Sequence, residues 1–143
     1  AAGVTGGHLF PAQALAEAGF RADRPACICW MGVTMYLTEA AIMETLGYAA
    51  ALPKDSSIAF DFTIVPGLMN PVERVIVEMI KQHTAAMGEP WLSDFDPAAL
   101  REKLLGLGFA EAETFEPDVL NRRYLHRRKD GLRRGGRLCL ARR

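Results

Sequence analysis

Short apolar runs along the chain alternate with segments whose apolar residues recur at helical spacing, the pattern of strands and helices in turn. After Gly19 a polar loop, FRADRP, leads into ACICWMGV (26–33), an apolar run of strand length that predicts a central strand covered on both faces. Thr38 then caps TEAAIMETLGYAAAL, in which Ala41, Ile42, Thr45, Leu46, Ala49 and Leu52 share one helical face while Glu39 and Glu44 are left for solvent. Pro53 ends that helix, and SIAFDFTIV (57–65) is β-branched and aromatic. Strand, helix and strand within residues 26–65 predict a right-handed parallel crossover.

The second half repeats the alternation with firmer punctuation. Pro71 opens PVERVIVEMIKQHTAAM, whose Val72, Val75, Ile76, Met79 and Ile80 form one apolar stripe, and Gly88-Glu89-Pro90 closes it. Asp96 as N-cap and Pro97 at the first helical position begin PAALREKLLGLGF, with Gly106 or Gly108 as the stop. A short strand follows from Phe109 to Phe115, then a helical piece from Pro117 through Leu125. After a basic turn at Asp130-Gly131, GRLCLAR (136–142) reads as a closing strand. The fold class is α/β, in a single domain (19–143) preceded by a glycine-rich segment (1–18).

Composition narrows the chemistry. No uncharged stretch approaches the roughly 20 apolar residues of a membrane helix. Three cysteines, two of them in Cys27-Ile28-Cys29, make neither a disulfide framework nor a cysteine zinc site, so a reducing, cytoplasmic setting is expected. His8, His83 and His126 lie far apart and none carries a second ligand at helical spacing, so no metal is expected. The net charge is zero, but residues 121–143 hold ten basic side chains and one acidic, against seven basic and sixteen acidic before them. Such a tail suits a polyanion. The apolar residues within RYL and RLCLAR favour instead a tail folded back on an acidic body, and disfavour nucleic acid as partner.

Several runs carry a family likeness: GFRADRPA, WMGVTMYLTEAA, ALPKDSSIAFDF, GEPWLSDFDPAAL, LGF, and LNRRYL with DGLR. From about residue 16 to residue 143 their order resembles the second half of the leucine carboxyl methyltransferase-like family of S-adenosylmethionine-dependent methyltransferases. The resemblance implies part of a class I (Rossmann-like) sheet, mostly parallel with an antiparallel closing strand. It implies methyl transfer to a carboxylate or hydroxyl of an acceptor that the sequence does not identify. Because ligands in such sheets bind beyond the carboxyl ends of the strands, Met31, Gly32, Val33, Thr34 and Tyr36 would face the cofactor. Asp61, at the end of the next strand, and Arg123 with Tyr124 are candidate substrate contacts, the guanidinium being suited to a carboxylate. In the family a glycine-rich turn and acidic residues on earlier strands hold the rest of the cofactor. Here Gly19 leads almost directly to the strand at Cys27, so the expected cofactor site is incomplete, the enzyme truncated, and its activity left open.

Each candidate has a plainer role as well. Tyr36 could be core packing, Cys27 and Cys29 small buried hydrophobes, Trp30 and Trp91 core or lid anchors, and Arg123 a partner for the acidic body. Asp61 could simply accept hydrogen bonds from the loop after it. Two alternatives to a methyltransferase follow. A fragment with an unpaired edge on a central strand could be a non-catalytic module that associates with itself. Separately, AAGVTGGHLFPAQALAEA resembles the opening of the N-acetylglucosaminyl transferase that builds the lipid-linked peptidoglycan precursor, with Val4 in place of a glycine. That likeness implies a fragment of a UDP-N-acetylglucosamine-dependent enzyme with His8 as candidate base. The chain also opens without an initiator methionine or a signal-like run, so an upstream piece is expected to be missing.

Overall fold

The structure, a computed structural model, describes residues 19–133 and 135–143 of the chain. The elements run β1 (Cys27–Trp30), α1 (Glu39–Ala50), β2 (Ser57–Phe62), α2 (Pro71–Ala86), α3 (Pro97–Gly106), β3 (Glu111–Phe115), α4 (Pro117–Leu120, widening into a π turn over Asn121–Leu125) and β4 (Arg137–Arg142). The glycine turn, the Ala-rich helix and His8 fall outside the described residues, as does the glycosyltransferase likeness resting on them.

The sheet order is β1-β2-β4-β3. β1 runs parallel to β2, with Cys27 opposite Ser57 and Trp30 opposite Phe60, and α1 joins them as the predicted crossover. β4 lies between β2 and β3 and is antiparallel to both. Three strands therefore point one way and the last in sequence points the other, as the resemblance implied.

Local signals account for the helices. Thr38 Oγ1 accepts from Ala41 N–H at 3.3 Å to start α1. Asn70 Oδ1 accepts from Glu73 N–H at 2.9 Å to start α2, and Asp96 Oδ1 from Ala98 and Ala99 N–H at 2.8 and 3.1 Å to start α3. Pro71 and Pro97 occupy first-turn positions where no amide donor is needed. Gly88, at φ +85°, ends the α2 segment in a conformation costly for any side chain.

Ile42 and Leu46 of α1 and Leu100 and Leu104 of α3 pack against Ile58, Phe60, Phe62, Cys139, Ala141 and Ala112 on one face of the sheet. The opposite face is largely open among the described residues, and two expectations fail there. β1 pairs with β2 alone, so it is an edge in the described sheet rather than a central strand, and Cys27 and Cys29 are exposed rather than buried. An apolar run shows that a strand can be covered on both sides, but it does not supply the cover. The α2 stripe also departs from expectation: Val72, Val75, Ile76, Met79 and Ile80 are all exposed. Within the basic tail, Arg142 pairs with Glu111, and Arg137 with Glu73 and Glu116.

Candidate functional site

Residues 31–36 turn sharply where β1 ends, and the turn is fastened to β2 at one residue. Gly32, at φ +72°, donates its N–H to Asp61 Oδ1 at 2.8 Å, and Thr34 Oγ1 donates to the Asp61 carbonyl at 2.6 Å. Nothing lies within 4 Å of a Cβ added at Gly32, so glycine is needed there for its backbone conformation rather than for space. The far side of the turn is held by the segment before α3: Leu92 N–H donates to Met35 O at 2.7 Å, and Tyr36 meets Trp91 edge to face with ring centroids 6.4 Å apart. The five predicted cofactor residues thus share one turn with Asp61 at its base. Within it Thr34 is 1% exposed and its hydroxyl is committed to the turn, whereas Met31 and Tyr36 are half-buried and Val33 is exposed.

Beside this turn lies a cleft of about 820 Å³. It is bordered by the carboxyl end of β2 (Asp61 to Ile64), the start of α2, the residues after β3 and those leading into β4. Because β4 is antiparallel, its first residues lie at the same end of the sheet as the last residues of β2 and β3. That is the end where open α/β sheets bind ligands.

Arg137 organises the cleft. It is the first residue of β4 and shares a sheet face with Cys139 and Ala141, so its guanidinium leaves the core at the cleft. There Nη1 donates to Glu73 Oε1 at 2.6 Å and Nε lies 2.8 Å from Glu116 Oε2, with the side chain 11% exposed. Burial alone would lower its pKa, but the two carboxylates outweigh it and the net shift is upward. None of Arg137, Glu73 and Glu116 was singled out in the sequence as a site residue. The usable signal was the period-two pattern Arg137, Cys139, Ala141, which puts a guanidinium in register with core positions and so requires buried partners.

Arg123 and Tyr124 lie elsewhere. They line a second cleft, of about 830 Å³, on the open face of the sheet with Ala59, Leu138 and Leu140. The Arg123 guanidinium sits 5.6 Å from the centroid of the Tyr124 ring. Asp61 borders the first cleft, so the three predicted substrate contacts are not gathered in one cleft. Among the described residues no cluster of three metal-ligating side chains occurs, and no helix is long and apolar enough to cross a membrane.

Met31 is half-buried and Val33 exposed in the turn after β1, and Asp61 Oδ1 is engaged by the Gly32 N–H.

Comparison with known proteins bears on this arrangement. Residues 10–50 match the family model described as leucine carboxyl methyltransferase. No curated protein matches the chain by sequence. Solved structures do match in fold. One is a putative O-methyltransferase from Nostoc punctiforme, with a TM-score of 0.51 at 10% identity over 85% of this chain and 33% of that one. Another is a duf574 family protein from Streptomyces avermitilis, at 0.57 and 16% over 94% and 52%. The S-adenosylmethionine-dependent methyltransferase SibL in its apo form gives 0.54 and 12% over 96% and 41%. The chain spans between a third and about half of the length of these structures. It therefore shares the α/β fold of these structures, and its residues 10–50 are similar to the leucine carboxyl methyltransferase family model.

Proposed function

We propose that the chain takes part in S-adenosylmethionine-dependent O-methyl transfer, to a carboxylate or hydroxyl oxygen, and supplies one wall of the pocket. The supporting observation is the double fastening of the β1 turn by Asp61, which itself borders the cleft at the carboxyl end of the sheet together with Met35 of that turn. When bound, S-adenosylmethionine provides a sulfonium methyl group that passes to the acceptor oxygen while a neutral thioether leaves. The protein's share is positioning. Met31 and Val33 border the adenosine, Tyr36 braces the turn against Trp91, and Thr34 holds its base. The three free thiols, two of them exposed, fit a reducing compartment, and we place the protein in the cytoplasm.

Calorimetric titration of the chain with S-adenosylmethionine tests this reading. The expected result is saturable binding in the millimolar range, since one wall gives few contacts. Asp61→Ala should abolish it by releasing the turn, and Asp61→Asn, which keeps an acceptor for Gly32 N–H, should retain most of it. Absence of heat at millimolar cofactor, or equal binding by Asp61→Ala, would overturn the proposal.

A second reading, an association module, is favoured by one feature: the outer edge of β1 has no strand partner among the described residues. Light scattering across a concentration series would then show dimers that Cys27→Lys and Cys29→Lys together disperse. A monomer at all concentrations eliminates it.

A further inference from the structure

The second cleft, of about 830 Å³, lies on the face of the sheet opposite α1 and α3 and shares no described lining residue with the first. Strand register builds its floor. Ala59 stands opposite Leu140 and Leu140 opposite Glu113, while Leu138 stands opposite Phe115. These side chains therefore share one face, the reverse of the one on which Cys139 and Ala141 pack. Leu120 and Leu125 of the α4 segment and Leu132 complete an apolar surface. From β2 across β4 to β3 the floor covers two strand spacings, about 10 Å.

Guanidiniums stand around this floor. Arg123, Arg133 and Arg142 line the cleft, and Glu113 is the one carboxylate among its described lining residues. Arg142 is already engaged by Glu111 at 2.9 Å. Arg133 Nη1 donates to the Leu132 carbonyl at 2.8 Å, a contact that neutralises no charge. The Arg123 guanidinium sits over the Tyr124 ring, which occupies its flat face and leaves its N–H edges for an acceptor. Neither Arg123 nor Arg133 has an acidic partner among the described residues.

From this combination we infer a ligand site, separate from the cleft of the methyl-transfer reading, for an amphipathic carboxylate. Its ligand carries one anionic head on an apolar body of about eight carbons, long enough to cross the floor of about 10 Å. Arg123 offers the planar fork that takes a carboxylate by two parallel hydrogen bonds, and Arg133 adds positive charge at the rim. A cationic head on the same body would meet like charge, and a small anion without the body would forgo burial against Leu138, Leu140 and Phe115. The volume is that of an ordinary small-ligand site. The assignment stands whether or not the chain binds S-adenosylmethionine.

The test titrates octanoate, octylamine and acetate into the full chain at two protein concentrations while the methyl resonances of Leu138 and Leu140 are followed, because both side chains line the floor. Octanoate should saturate in the low millimolar range and bind at least about fivefold more tightly than octylamine, with acetate giving no saturation over the same range. Arg123→Gln with Arg133→Gln, both at exposed positions, should weaken octanoate severalfold, and an otherwise unchanged amide spectrum of the unliganded variant shows that its fold is intact. Amine binding as tight as carboxylate, acetate binding as tight as octanoate, an affinity unmoved by the double variant, or no saturation by octanoate would each overturn the assignment. So would an octanoate affinity that falls as protein concentration rises, which would mean that a second copy covers the floor.

Discussion

α1 and α2 both present regularly spaced apolar residues, yet their faces are turned opposite ways. α1 sinks Ile42, Leu46, Ala49 and Ala50 into the sheet, and Ile42 and Leu46 are fully buried. α2 is the more clearly two-sided helix in sequence, but it contacts the body through Glu73, Val77, Lys81 and Thr84 and leaves its apolar stripe outside. Polar ties hold it there: Glu73 to Arg137 and Lys81 to Asp94. Apolar spacing establishes that a helix will form and that one face seeks cover. Which neighbour supplies the cover is decided elsewhere in the chain. In α1 the sheet covers the stripe; in α2, Val72, Ile76 and Ile80 of the stripe line the cleft, and Val75 and Met79 do not.

Truncating one residue on each helix would break or sharpen this contrast. Leu46→Ala removes a fully buried side chain between α1 and the sheet and should cost about 2–5 kcal/mol in urea unfolding. Ile76→Ala, at a position 52% exposed, should stay within about 0.5 kcal/mol. Comparable losses at both positions would mean that the α2 stripe is covered in solution, by another copy or by residues outside those described.

Much of the fold was legible because its signals are local. Thr38, Asp96-Pro97 and the Pro71 start mark helix ends by capping chemistry that acts within four residues, and each helix begins where its cap predicts. The β-branched and aromatic run at 57–65 starts β2 at the right residue but runs three residues past its end at Phe62, and the period of GRLCLAR places β4 within a residue. The site was legible in part. The turn at residues 31–36 is local, held by Asp61 at the end of the neighbouring strand. Arg137, Glu73 and Glu116 meet across 64 and 21 positions of sequence, and no short-range pattern encodes that pairing. The same limit explains the misread cysteines, since Cys27 and Cys29 alternate correctly for a strand but face the side of the sheet that the described residues leave open.

Thiol chemistry distinguishes the two faces of the sheet with a smaller effect. Cys139 is fully buried on the face covered by α1 and α3, and burial pushes its pKa up to about 12 from 9.0. In the native state at pH 8 a disulfide reagent should therefore titrate Cys27 and Cys29 promptly, and Cys139 only at the rate of unfolding. Stability follows with a definite sign. Between pH 9 and about 12 the unfolded chain ionises this thiol while the folded chain keeps its proton, so the contribution is complete below pH 9 and lost as pH rises through that window. The loss is on the order of 1 kcal/mol per pH unit, because each unit of difference between the two states is worth about that much. Comparing wild type with Cys139→Ala at each pH cancels the lysines and tyrosines that also titrate there, and the difference in unfolding free energy between the two should shrink as pH rises. A gap that stayed constant, or prompt labelling of all three thiols, would mean that the helix-covered face opens to solvent, and that cover separates α1 from α2 less sharply than their side-chain burial indicates.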